Sequence, residues 1–165
     1  KFENLEALRN NVREGLTAEK EEKERSARRI KIVEAIAAQI SAELPGLLIN
    51  RELDKMTGEL RSSIERTGMQ WPDYLGHIKK SEEILKKDWE KDAARRVKIA
   101  LVLRKIGQTE KIEPTEEEIR ETTTETVSRL GINEGGLKKI DRAAFLEYNA
   151  TIARNEKVFR FLENL

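Results

Sequence analysis

Cysteine is absent from this 165-residue chain, so neither a disulfide nor a thiolate nucleophile is available to it. Proline occurs three times and glycine nine times. That is too few turn-formers for an all-β protein, which needs turn signals about every ten residues. Histidine occurs once, at His77, which leaves no second imidazole for a metal site or a hydrolytic triad. No apolar run approaches the roughly 20 residues of a membrane-spanning helix, and no secretory leader pattern is present. Neither glycine-rich phosphate-binding motif occurs. Charge of one sign is missing too: 32 Lys and Arg face 31 Asp and Glu, a net charge of +1. Such a chain has no field that would favour nucleic acid or an anionic membrane, and neither is expected as a partner. No cofactor, metal or catalytic group is expected. A cytoplasmic location fits the lack of cysteine.

What is present is 38% charged and 38% hydrophobic residues. The apolar share is too high for a disordered chain, and the mixture suits long, solvated helices. From Asn4, a candidate N-cap, to about Ile40 there is no proline and only Gly15. Leu5, Leu8, Val12 and Leu16 share one helix face, as do Ala27, Ile30, Val33, Ala37 and Ile40. Between the two sets the stripe lapses, so the helix is expected to stand unsupported for about three turns. Glu21, Glu22 and Glu24 alternate there with Lys20, Lys23 and Arg25, the pattern of a solvated face laced by i,i+4 pairs.

Pro45, whose fixed φ suits a first helical turn, marks the next helix start, and Leu53, Met56, Leu60 and Ile64 follow at steps of three or four until Gly68. Met69 to Gly76 is expected to be a compact turn with Trp71 and Tyr74. Ser81 caps a third helix running to about Gly107, whose Val97–Ile106 half is expected to be buried on all sides. After Pro114, Thr115 and Glu118 form a capping box. The helix they open holds Thr122, Thr123, Thr124 and Thr126, whose branched side chains lower helix propensity, so it needs tertiary support. Gly131 ends it, Gly135–Gly136 form a loop, and a last helix starts at Leu137 or Asp141. Phe145, Tyr148, Ile152, Phe159 and Leu162 lie on one side of that helix. The fold class is therefore all-α, with long helices forming a body and two protruding helical-hairpin arms.

With catalysis unsupported, apolar surface is the remaining resource. The candidate client-binding residues are Leu5, Leu8, Val12, Leu16, Met56, Leu60, Ile64, Met69, Trp71, Tyr74 and Leu75. Methionine is soft and aromatics offer area at low entropic cost, which suits a promiscuous site. The same residues have a second reading, as the zip between the two hairpin helices. For Met56, Leu60 and Ile64 that second reading is the stronger one; for Trp71, Tyr74 and Leu75 at the tip the two are balanced.

Glu43-Leu44-Pro45-Gly46-Leu47-Leu48, Lys91-Asp92-Ala93-Ala94-Arg95-Arg96-Val97 and Lys111-Ile112-Glu113-Pro114-Thr115 occur in this order, followed by Arg154–Leu162. Together they resemble the C-terminal substrate-binding domain of bacterial trigger factors. The resemblance implies one chaperone domain over 1–165: a long body helix at 1–43, a first arm at 44–112, a second at 113–149 and a C-terminal body helix at 150–165. It implies an ATP-independent holdase for unfolded or nascent polypeptide. The chain begins at Lys1 and is expected to be a piece of a longer protein. Ribosome contact and peptidyl-prolyl isomerase activity would belong to domains of the parent. The absence of a preceding body segment is expected to expose core-facing residues, on Leu5, Leu8 and Val12 or on the last helix, and to favour self-association. The alternatives are a helical scaffold for one specific partner and a SurA-like periplasmic chaperone.

Overall fold

The computed structural model describes residues 2, 4–41, 43–137 and 140–165. Among them there are seven helices and no strand. The elements are α1 (Leu5–Ala38), α2 (Gly46–Arg66), α3 (Trp71–Ile78), α4 (Glu82–Thr109), α5 (Glu116–Leu130), α6 (Glu134–Leu137) and α7 (Arg142–Glu163). The all-α expectation is met. The chain divides into two compact units, one of residues 1–36 with 106–165 and one of residues 37–105. Helices α1 and α4 each run through the division.

In the first unit, the Asn4 side chain caps α1 by accepting the Ala7 N–H at 2.8 Å. From Leu8 through Arg28 every residue of α1 is exposed. The lapsed stripe predicts exposure at its centre, and the resemblance predicts it for Leu5, Leu8 and Val12; Leu16 is exposed as well. Local pairs support this stretch: Glu19 with Lys23 at 2.6 Å, Lys20 with Glu24 at 3.8 Å, and Glu22 with Arg25. Pairs of this kind contribute about 0.2–0.5 kcal/mol each. Burial begins one turn later, at Val33, which is 1% exposed.

The partner element is α7, whose N-cap Asp141 accepts the N–H groups of Ala143 and Ala144. Its Val158 and Asn149 are fully enclosed, and Ala153 is buried. Helix α5 packs along α7. Its expected capping box is complete: Glu118 N–H donates to Thr115 Oγ1, and Thr115 N–H donates to Glu118 Oε2 at 2.7 Å. Gly131 ends it at φ 62°, a conformation glycine takes without strain. The last turn of α4 reaches this unit, where Gly107 lies so near α7 that a Cβ there would stand 3.3 Å from Arg154 Cδ.

The second unit pairs α2 with the first six turns of α4 around Leu53, Met56 and Ala93, with Ile49 and Trp89 packed against them. Gly68, at φ 85°, releases the chain after α2 as expected.

Four local expectations need correction. Pro45 is the residue before the helix, not its first turn. The Trp71 segment is a two-turn helix, α3, because Pro72 supplies a preset φ in its first turn and Lys79 closes it in the left-handed conformation. Gly135 and Gly136 lie in the one-turn α6, where Asn133 Oδ1 accepts the Gly136 N–H at 2.8 Å. The Val97–Ile106 stretch is buried at Val97, Val102 and Leu103 but not all round: Leu101 is 39% exposed, and Ala100, Arg104 and Lys105 face solvent. Arg104 and Lys105 keep one face of this stretch in solvent, and Ala100 and Leu101 lie one turn earlier on that same face.

Candidate functional site

His77 is exposed on α3. Among the described residues no three His, Cys, Asp or Glu side chains converge as metal ligands, and no helix is long and apolar enough to cross a membrane. The charged groups that depart from their ordinary titration do so as ion pairs. Glu163 is held below the usual carboxylate range by its hydrogen bond from Arg29. Burial pushes Glu156 up, but hydrogen bonds from Arg29 and Arg160 more than offset this and leave it lowered. Arg29 is raised by the same Glu163 and Glu156 bonds. Glu82 is lowered by Lys86, with Trp71 Nε1 donating to it at 3.2 Å.

Apolar surface is where the structure offers something. Leu5, Leu8, Val12 and Leu16 are 62%, 39%, 50% and 61% exposed, a continuous row along the first turns of α1. Leu8, Val12 and Leu16 line a shallow trough of about 590 Å³ whose margin carries Arg9, Arg13 and Lys20. These four candidates are the ones the fold brings together on an open face.

A second concavity lies between α5 and α7, a hollow of about 540 Å³. Ile119, Thr123, Leu146 and Ala150 form its apolar lining, with Glu116, Arg120 and Glu147 among the remaining lining residues. A further hollow of about 320 Å³ adjoins it along Thr123 and Leu146 and adds Leu137, Ile140 and Phe145. Leu146 is 49% and Leu137 38% exposed. Sequence reasoning missed this site. The signal available was Leu146, which lies off the Phe145–Tyr148–Ile152 side of the last helix, an apolar residue outside its stripe.

The remaining candidates sit elsewhere. Met56 and Trp71 are interior to the second unit, at 9% and 7% exposed. Trp71 stacks on Tyr74 with ring centroids 5.6 Å apart, and the Arg61 guanidinium lies 5.2 Å over its ring. Leu60, Ile64, Tyr74 and Leu75 are half-buried. Of these candidates Met69 alone is exposed, at 38%. Met56 and Trp71 are therefore core residues, and a surface role for them needs the unit to open.

Residues 4–162 match the family described as the bacterial trigger factor protein C-terminus. The trigger factor of Halothermothrix orenii is 37% identical over 118 residues, covering 72% of this chain and 28% of that protein. That of Clostridium botulinum is 29% identical over 149 residues, covering 90% of this chain and 34% of the relative. That of Alkaliphilus oremlandii is 32% identical over 120 residues, or 73% and 28%. The chain thus spans about a third of the length of these curated relatives. No solved structure matches it at a significant level.

Proposed function

Because this chain belongs to the bacterial trigger factor C-terminus family, we propose that it is a chaperone domain holding unfolded or nascent polypeptide on open apolar faces of its helices. The observation that carries this reading is the exposed row Leu5, Leu8, Val12 and Leu16. A soluble helix seldom leaves four large aliphatics on one face uncovered unless something docks there. An unfolded segment laid along the row, or in the α5–α7 hollow, would gain about 25 cal/mol per Å² of apolar area removed from water. The charged residues beside both concavities, Arg9, Arg13 and Lys20 at one and Glu116, Arg120 and Glu147 at the other, would keep the loaded complex soluble. Ordering a flexible client costs entropy, so binding is weak, fast and sequence-tolerant.

The same reading places the protein in the cytoplasm, acting without ATP, metal or cofactor. Ribosome docking and prolyl isomerisation are assigned to other parts of a longer parent. Arms projecting from a shared base, and self-association through the α1 row, belong to the proposal as well; sedimentation over a range of concentrations tests the second. The deciding experiment for the holdase is light scattering of a chemically denatured client diluted into buffer. A several-fold excess of this domain should suppress aggregation. No suppression, together with one saturable high-affinity partner in a pull-down, would favour a specific scaffold instead.

A further inference from the structure

The seam between α5 and α7 is polar where a stable helix pair is usually apolar. Glu118 and Lys157 are paired across it at 2.9 Å, which fixes the antiparallel register. One turn along, Thr122 on α5 and Ala153 on α7 line the same cleft. A further turn along come Thr126 and Asn149, 3% and 0% exposed, the buried polar residues of their helices. Asn149 spends its Nδ2 on its own helix, donating to the Phe145 carbonyl at 2.8 Å. Its Oδ1 is enclosed with no hydrogen-bond partner among the protein atoms. A buried acceptor left unpaired costs free energy that a leucine there would not. Helix α5 is weakened from within as well, since Thr122, Thr123 and Thr124 each donate Oγ1 to the carbonyl four residues back. Such back-bonding slightly destabilises and bends a helix. Thr57 in the second unit makes the same back-bond to the Leu53 carbonyl, but it does so once, beside an apolar cluster of Leu53, Met56 and Ala93, and among the described residues that unit holds no buried side-chain acceptor left unpaired.

We propose that this polar seam is a built-in weak point, at which α5 detaches from α7 in a local opening well below the cost of global unfolding. Opening widens the adjoining hollow and uncovers the half-buried Ile119 and Val127 on α5. The inference rests on packing and hydrogen bonding alone and stands or falls apart from the chaperone reading. If clients do bind in the hollow, the opening lets one site accept segments of different bulk.

Native-state hydrogen exchange of the full chain, read by mass spectrometry, tests it. Amides of 116–130 should exchange at least about tenfold faster than those of 85–103, and Asn149→Leu should slow 116–130 by about tenfold while leaving 85–103 unchanged. Thr126→Val should act in the same direction, and it carries the decision if Asn149→Leu fails to fold. Equal protection of the two segments in the parent protein overturns the proposal. So does exchange of 116–130 that is unchanged or faster in the variant that folds.

Discussion

Arg29 and Glu163 meet through two parallel hydrogen bonds, Nε to Oε1 at 2.8 Å and Nη2 to Oε2 at 3.0 Å. The remaining guanidinium edge reaches Glu156, two turns earlier on α7, at 2.7 and 3.0 Å. Phe159, between them in sequence, lies with its ring centroid 5.3 Å from the guanidinium carbon. One side chain, a turn ahead of the buried Val33, is thus clamped by three residues on one face of α7. The Arg29 side chain is only 14% exposed, so these bonds are screened less than surface pairs. Arg29→Ala should lower stability by about 1–3 kcal/mol, measured by urea denaturation. Arg29→Lys should recover less than half of that loss, because an ammonium cannot make the two-pronged contact. Full recovery by lysine would mean that charge alone matters here.

Acid should weaken the first unit through the same groups. Glu163 and Glu156 are held below 4.5 in the folded chain. Glu118 is lowered first by its hydrogen bond from Lys157 and then by the Thr115 N–H. A lowered carboxylate contributes in full above its unfolded value and loses that contribution as pH falls through the lower folded value. Stability should therefore be flat with respect to these groups between pH 6 and 8 and fall below about 4.5. In Glu163→Gln the acid decline should be shallower and the neutral-pH stability lower. An identical acid profile in that variant would remove Glu163 from the account.

Trp71 should behave as a core residue. Trp71→Ala should cost about 3–5 kcal/mol by removing a buried indole. Trp71→Phe keeps most of the ring packing and loses only the bond to Glu82, so it should cost about 1–2 kcal/mol. Thermal melts followed by circular dichroism separate the two. A Trp71→Ala protein as stable as its parent would return this residue to the surface.

What the sequence disclosed and what it withheld divide along the range of the forces involved. Asn4, Thr115 with Glu118, and Gly131 were legible because a cap is settled within four residues of chain. The unsupported centre of α1 was legible for the same reason, since its charges pair within the helix. The burial of Trp71 was not, because it depends on Arg61 and Glu82, ten and eleven residues away in opposite directions and on separate helices. The α5–α7 hollow was hidden more deeply. Its shape follows from the register that Glu118 and Lys157 set, and no periodicity within α5 or α7 reports that register. Tyr148 shows the limit of face-counting: it shares the apolar side of α7 with Phe145 and Ile152, yet it is 48% exposed, while its neighbour Asn149 is fully enclosed.

The α1 row separates a binding role from a structural one more cleanly than any other part of the chain. Leu8 and Val12 are 39% and 50% exposed, and both line the trough that Arg9 and Arg13 border. Replacing both by serine removes little packing, so the melting temperature should stay within about 2 °C of the parent. If unfolded chains dock on the row, the double variant loses apolar area at its centre, and affinity for a fluorescent unfolded client should fall several-fold. Each large aliphatic contributes about 1.5–3 kcal/mol when fully covered, less for the partial coverage a shallow trough allows. A control at Leu47, 64% exposed in the other unit, should bind as the parent does. Equal binding by the Leu8/Val12 variant would leave the α5–α7 hollow as the candidate, and Leu146→Ser would then be the substitution to make. A melting temperature several degrees lower would instead show that the row is covered in solution, by a second copy of the chain, and the loss should then grow as the protein is concentrated.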